Sequence, residues 1–561
     1  MLPETTTHAQ PTLAEHAGYA RRWWMLAVLC LSLLIVFVGN SSLNVTIPTL
    51  SRELHASESQ LQWVVAAYSL VFAGLLFSTG AIGDRFGRKG VLQLGLVVFL
   101  VAAVLASASS EMWQLIACRA LMGAAAALIM PSTLSILVNV FPAHERAKAI
   151  AIWAGTTGAA GAIGPVASGW LLGYYWFGSV FLVNVPFILL ALVGGWFLVP
   201  KSRDPEQGRL DPVGAGLSIV GIVALVYGLI QAPTEGWASG RTLTAFAIAA
   251  VVLSVFVLWE LRAEEPMLDI RYFRNPAFST GTGGMILVFM ALFGVMFLIT
   301  QYFQLVLEYS PLSTALRLLP MAPIMIIVAP LTPRITARFG ANRAVAFGMG
   351  LVAGGLLLFR GVGLHTSYLY IIVSLVPLVV GIAMTMSPMT AAIMSAVPSR
   401  RAGAGSAMND ATRELGAALG VAVLGSIAAS QYSAKVEPLV AALPASVRST
   451  ATSSIAGAIQ TANGLRGAAG RALTLGAQHA FVDGVHFAVT VGAVLAAVAS
   501  VAVYRYLPRV IAPEGALHGP VESLETVAEL GLGGVPPEVA GSASETETDE
   551  TETDELAERL P

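Results

Sequence analysis

Residues 80–92 read GAIGDRFGRKGVL. Four glycines, one acid and three cations share a short link. Apolar runs stand on either side, at 61–82 and 90–108. Each is about the 20 residues that a helix needs to cross the hydrocarbon core of a bilayer. Glycine lets helix ends approach closely, an acid can face a helix N-terminus, and cations prefer the cytoplasmic face of a membrane. An ordinary positively charged loop has no need of the fixed spacing Gly-x-x-x-Asp-Arg-x-Gly-Arg-Lys.

The same alternation continues outward from this link. Apolar runs fall near 25–47, 61–82, 90–108, 113–138, 148–173, 179–199, 213–232, 243–261, 280–304, 314–336, 344–361, 368–395, 405–428 and 485–506, which predicts fourteen spans. The composition agrees. The 561 residues are 56% hydrophobic and 11% charged, against about 25% charged in a soluble domain. Such a chain has no polar surface to offer water.

The formal charge of −2 hides two regions. From Glu514 onward there are 13 acids and one cation, Arg559, which leaves 30 Lys+Arg against 20 Asp+Glu in the rest. The cations are scattered between apolar runs, so nucleic acid is not an expected partner. With the N-terminus inside, inside connections carry 20 cations and outside connections 7, four of these in the long segment 429–479. That bias predicts both termini in the cytoplasm. The tail, with its run ETETDETETDE, cannot bury a core and is expected to be disordered.

A faint repeat is present. Residues 84–91 read DRFGRKGV and residues 337–344 read ARFGANRA, eight spans apart. This predicts an all-α membrane protein of two six-helix halves with two inserted helices. The segments are 1–22 (N-terminal, cytoplasmic), 23–200 (spans 1–6), 201–275 (linker with spans 7 and 8), 276–509 (spans 9–14, with an external loop at 429–479 holding at most one short surface helix) and 510–561 (acidic tail).

Three cations fall inside apolar runs: Arg119, Arg317 and Arg413. Charge is costly there and marks function or a structural pair. Span 13 carries Asp410 and Glu414, four apart and so on one helix face. Glu414 is counted to lie near the midplane. Desolvation disfavours the charged form of a carboxyl at that depth, which suits a reversible proton carrier; the alternative is a structural ion cluster with Arg413. In span 5, residues 159–172 read AAGAIGPVASGWLL. Gly161, Gly164 and Gly169 make a small-residue surface and Pro165 removes a helix hydrogen bond. Asn40, Asn44, Trp63, Tyr68, Gln301, Tyr302 and Gln304 are the polar anchors expected in a mostly apolar substrate cavity. No Walker-type loop is present, the eight His show no metal-ligand spacing, and Cys30 and Cys118 lie in apolar runs. No enzyme activity, cofactor or metal is expected.

On residues 80–92 the chain resembles the major facilitator superfamily, whose signature sits between spans 2 and 3. The resemblance implies that Gly80, Asp84, Arg85, Gly87, Arg88 and Lys89 form a conformational latch. The second copy lacks the acid, with Ala337 in its place. The Gly-Pro element of span 5 resembles the superfamily's antiporter motif, and LIACRALMG at 115–123 its span-4 motif, which gives Arg119 a part in proton transfer. LQWVVAAYSL at 61–70, FLVNVP at 181–186, QYFQLVLEYSPLSTALRLLP at 301–320 and GSAMNDATRELGAALGVAVLGSI at 405–427 look like the fourteen-span drug:proton antiporters of bacteria. The resemblance spans about 23–506. It implies a monomeric, multi-pass exporter of hydrophobic compounds in the bacterial plasma membrane, with a proton as coupled partner and lipid around it. One departure stands out. The acid that family members carry before the Asn44-Val45-x-x-Pro48 element aligns with Gly39, beside Asn40, and neither titrates. Export of a lipid or an endogenous metabolite without tight coupling is therefore the nearest alternative. A membrane sensor acting through the acidic tail is a remoter one.

Overall fold

Greasy side chains that face outward are the first sign of a lipid solvent. In the computed structural model, Val494, Val498 and Val501 form an exposed stripe at helical spacing, and so do Val97, Val101 and Val104. The structure describes residues 21–200, 211–263, 266, 268–397, 402–465 and 467–510. All of their regular structure is helical. The acidic tail lies outside the described residues.

The first half contains α1 (Arg22–Glu53), α2 (Glu58–Phe86), α3 (Arg88–Ser107), α4 (Met112–Val140), α5 (Ala143–Tyr174), and α6 (Ser179–Leu182) with α7 (Asn184–Leu198), which share one span. The inserted pair is α8 (Pro212–Glu235) and α9 (Gly240–Arg262). The second half contains α10 (Pro276–Gln301), α11 (Pro311–Leu318), α12 (Met321–Val328), α13 (Thr332–Phe339), α14 (Ala341–Phe359), α15 (Tyr368–Ser395), α16 (Ala402–Val440), α17 (Ala445–Ser453), α18 (Ile455–Leu465) and α19 (Gly467–Tyr506). Among the described residues 13 helical segments are long and apolar enough to cross a membrane. The 32-residue α5, rich in glycine and alanine, is a further apolar helix. Counted as a span by its packing along α1, it brings the total to the expected fourteen.

Within the first half α2 packs on α4, α1 on α5, and α3 on α4 and α7. Within the second, α10 packs on α15 and α16, and α14 on α15 and α19. The halves meet where α2 lies along α16 and α5 touches α11. The α8 helix fits against both α2 and α16, while α9 lies outside it. The base of the inserted pair is pinned by Asp211, which caps α8 through Gly214 N at 2.8 Å and accepts Trp259 Nε1 at 3.0 Å.

The sequence repeat has a structural counterpart. Gly87 ends α2 and opens α3 with φ 104°, and Gly340 ends α13 and opens α14 with φ 90°. Side chains rarely adopt that backbone, so glycine is required at both turns. Tenth-span continuity fails for a sequence reason. Prolines at 320, 323, 330 and 333 remove donors in close succession, and the span runs as three short α-helices with a 3-10 turn, Ala329–Leu331.

The connection 429–479 departs from expectation. In place of a loop with one short surface helix, α16 runs on to Val440, α17 and α18 form a hairpin, and α19 begins at Gly467. A small core of Val436, Val440, Ala451, Ile455 and Ala458 holds it together. Tyr432 Oη donates to the carbonyls of Ala451 and Ser454 at 2.9 and 3.0 Å. Alanine supplies much of the buried face, which made the helical period faint in the sequence.

Candidate functional site: the seam between the halves

At mid-helix, α16 is set against α10 by Gly416 and Gly420, where a Cβ would strike the Ile286 and Met290 carbonyls. Asp410, Arg413 and Glu414 project from other faces of α16. Glu414 is 8% exposed, and its Oε2 has no hydrogen-bond partner among the described residues. It faces Ser69 of α2, the nearest hydroxyl donor to the carboxyl, although the two are not in hydrogen-bond geometry. Arg119 and Tyr68 of the first half lie within its electrostatic reach. Arg413 meets Asp410 at 3.7 Å, donates to Thr390 Oγ1 at 3.3 Å and lies over the Phe289 ring, yet its Nε is unpartnered. Asp410 also accepts Asn409 Nδ2 at 3.4 Å. The expected pairing of Asp410 with Arg413 is present, and Glu414 stands apart from it.

Arg119 is fully buried on α4. Its Nε donates to Val64 O at 3.1 Å, Nη1 to Gly39 O at 3.3 Å and Nη2 to Asn40 Oδ1 at 3.1 Å, and its guanidinium sits 4.4 Å from the Tyr68 ring centre. Backbone carbonyls, an amide and a ring hold the cation. A Cβ at Gly39 would meet Phe99 of α3 at 3.0 Å, so position 39 faces away from α16. Arg317 has a comparable structural setting: it stacks on Tyr309 at 4.0 Å and accepts Tyr368 Oη at its carbonyl.

The small-residue helix α5 touches both halves. A Cβ at Gly164 would overlap Ser41 Oγ, and Ser42 Oγ donates to Gly164 O at 3.1 Å. A Cβ at Gly169 would meet Leu312 Cα at 2.8 Å, across in the second half. Gly161 faces open space. Helix α5 passes through Pro165 unbroken, and Ser168 Oγ donates to the Gly164 and Pro165 carbonyls. In the link after α2, Gly80 lies against Pro131, Arg88 donates to Ser135 O at 3.4 Å, Lys89 to Trp196 O at 2.6 Å, and Arg85 is exposed. The Asp84 side chain lies outside the described set.

The expected cavity residues scatter. Gln301 and Gln304 do reach the seam: Gln304 Nε2 donates to Val45 O at 2.9 Å and Gln301 Nε2 to Glu58 Oε1 at 2.9 Å. They sit where α10 passes into a π-helical turn, Tyr302–Val306. Asn40 binds Arg119, Asn44 is half-buried, and Tyr68 underlies Arg119. Trp63 packs against the cluster where α2, α8 and α16 meet, and Tyr302 lies elsewhere. Trp63 faces Tyr227 of α8, and Tyr302 is fully buried in the second half, where its hydroxyl donates to Gly363 O at 2.6 Å. Helical spacing tells which residues share a face but not which neighbour that face meets. Glu58, Gln62, Ser69, Thr390 and Ser426 were missed. They read as capping or packing residues until α2 and α16 are placed side by side.

Comparison with known proteins bears on the family and the fold. Residues 29–421 match the family model described as Major Facilitator Superfamily. The chain is 36% identical over 484 residues to the multidrug efflux pump LfrA of Mycolicibacterium smegmatis, covering 86% of this chain and 96% of that one. It is 32% identical over 490 residues to the multidrug resistance protein Stp of Mycobacterium tuberculosis, covering 85% and 91%. It is 32% identical over 438 residues to the tetracenomycin C resistance and export protein of Streptomyces glaucescens, covering 76% and 80%. Among solved structures, a bacterial homologue of the human lysosomal transporter Spinster in an inward-facing, unoccupied conformation superposes with a TM-score of 0.62 at 18% identity, covering 87% of this chain and 98% of that one. A D-xylose-proton symporter superposes with a TM-score of 0.56 at 14% identity, covering 88% and 98%. The fold is shared with both. With the family model spanning most of its length and full-length relatives above 30% identity, this multi-pass membrane protein belongs to the Major Facilitator Superfamily.

Proposed function

We propose that the protein exports hydrophobic or cationic small molecules, drugs among them, from a bacterial cytoplasm in exchange for protons. The observation that carries this is Glu414: a carboxyl buried at the seam, with one oxygen unpartnered, opposite Ser69 of the other half. A group so placed can hold a proton when the seam is dry and lose it when water enters. Names of relatives that denote efflux or resistance support the export direction. Gly164 and Gly169 of α5 give the close packing against both halves that a rocking motion needs.

In this reading residues 23–200 and 276–509 rock around a central cavity, 201–275 carries the inserted pair, both termini face the cytoplasm, and the chain works as a monomer in the plasma membrane. Asp410 tunes Glu414 through Arg413. The residues of the link after α2 latch the cytoplasmic side. A second reading, weakly coupled export of a lipid or metabolite, draws on Gly39, which offers no titratable group beside Arg119.

Inside-out vesicles with an imposed proton gradient and a fluorescent lipophilic cation test the proposal. Dye uptake that a protonophore and Glu414→Gln both abolish is the expected result. Uptake indifferent to both contradicts the coupled mechanism.

A further inference from the structure

The seam has a second polar layer, at the end of the bundle where α1 gives way to α2. It holds a carboxyl that the mechanism above leaves unused. Glu58 opens α2 behind the Ser57 cap and is 8% exposed. Its Oε1 accepts Gln301 Nε2 at 2.9 Å, a bond from the first half to the second. Nearby, Ser426 Oγ of α16 donates to Gln62 Oε1 of α2 at 3.1 Å, while Gln62 Nε2 is unpartnered.

No cation lies within ion-pair distance of Glu58 among the described residues. From α16 the phenol of Tyr432 lies within its electrostatic reach, and from α10 the Gln301 amide donates to it. From α8 the adjoining contact is the Ile230 carbonyl, which accepts Ser59 Oγ. Four charged or titratable groups at this end have partners of their own. Arg52 of α1 donates to Pro48 O, Glu53 accepts Phe177 N, His55 pairs with Gln460 of α18, and Lys435 of α16 with Asp483. A carboxylate shut into this layer has the Gln301 amide and the first turn of its own helix to steady it but no cation, and a buried charge without a counter-charge is costly. A neutral acid bears no such cost. When the halves part at this end, water reaches the group and the cost disappears.

We infer that Glu58 is a second proton-binding site, which takes a proton from external water each time the halves close over it and returns it there when they part. The inference rests on the reading that places the α1–α2 end outside. The carboxylate gains an O–H bond on closure and loses it to water on opening. No proton crosses the membrane through Glu58, so it sets the balance between closed and open seam while Glu414 carries the coupling. External acid then favours the closed seam.

The test uses the full chain in lipid nanodiscs, with Cys30→Ser, Cys118→Ser, Arg52→Cys and Ser310→Cys, and spin labels on the two new thiols. Distance distributions are followed from mildly acidic to mildly alkaline pH. With Glu58 present the closed population should fall as pH rises. Every sample also carries Glu414→Gln, which removes the coupling carboxyl's own response. In that background Glu58→Gln should stay closed throughout and Glu58→Asp should keep a response. A response that survives Glu58→Gln, or no response with Glu58 present, overturns the inference. The readout needs neither substrate nor gradient, so a response lost only in Glu58→Gln supports the site even where vesicle transport fails.

Discussion

Arg119 and Glu414 sit in opposite halves at similar burial, yet their surroundings differ in kind. Every nitrogen of the Arg119 side chain has an acceptor and its plane lies on a ring. Glu414 has an unpartnered oxygen, and its neighbours Arg413 and Ser69 each have an unpartnered atom too. A saturated buried charge resists change, because any movement strands its partners. An unsaturated one has room for a proton. On the proposed mechanism, Arg119 holds its charge as structure and Glu414 keeps its charge for work. The absent first-span acid fits this division: with Gly39 in place, α1 brings no carboxyl to Arg119.

The largest expected effect comes from removing the working group. Glu414→Gln keeps the size and should lower gradient-driven dye uptake to the protonophore-treated level, measured in inside-out vesicles. Arg119→Ala tests the structural side. It strands the Asn40 amide oxygen, at about 1–3 kcal/mol when buried without a partner, and empties the space over the Tyr68 ring. The purified protein should melt well below the parent in detergent. Arg119→Lys should recover part of the loss and still couple transport to the gradient; coupling lost at parental stability would break the comparison.

Smaller effects sharpen it. Gly164→Ala should slow transport, since its Cβ overlaps Ser41 Oγ and pushes α5 off α1. Gly161→Ala on the same helix meets nothing within 4 Å and should raise stability slightly, by about 0.5–1 kcal/mol from helix propensity. Paired melting and uptake measurements check both. Removal of residues 514–561 should leave uptake unchanged; a transporter silenced by that deletion would revive the sensor reading.

The spans, the repeat and the Gly87 turn were legible because length, apolarity and glycine punctuation are local properties. Glu414 was legible because an acid deep in an apolar run is rare. Glu58 was hidden by its own helix: Ser57-x-x-Gln60 reads as a capping box, which it also is, so an acid in that first turn draws no notice. Gln62 and Ser426 are separated by 364 residues and acquire meaning only when α2 lies along α16. Trp63 also meets Tyr227, because the inserted pair offers α2 an extra neighbour that spacing does not reveal. The α17–α18 hairpin was lost because alanine faces carry little periodic contrast.

Proton release on substrate binding tests the central claim most directly. Purified protein in weakly buffered detergent solution is mixed with a lipophilic cation, and a pH-sensitive dye reports the protons set free. The account predicts release from the parent and from Arg119→Lys, and none from Glu414→Gln. Release from Glu414→Gln equal to the parent's would contradict it.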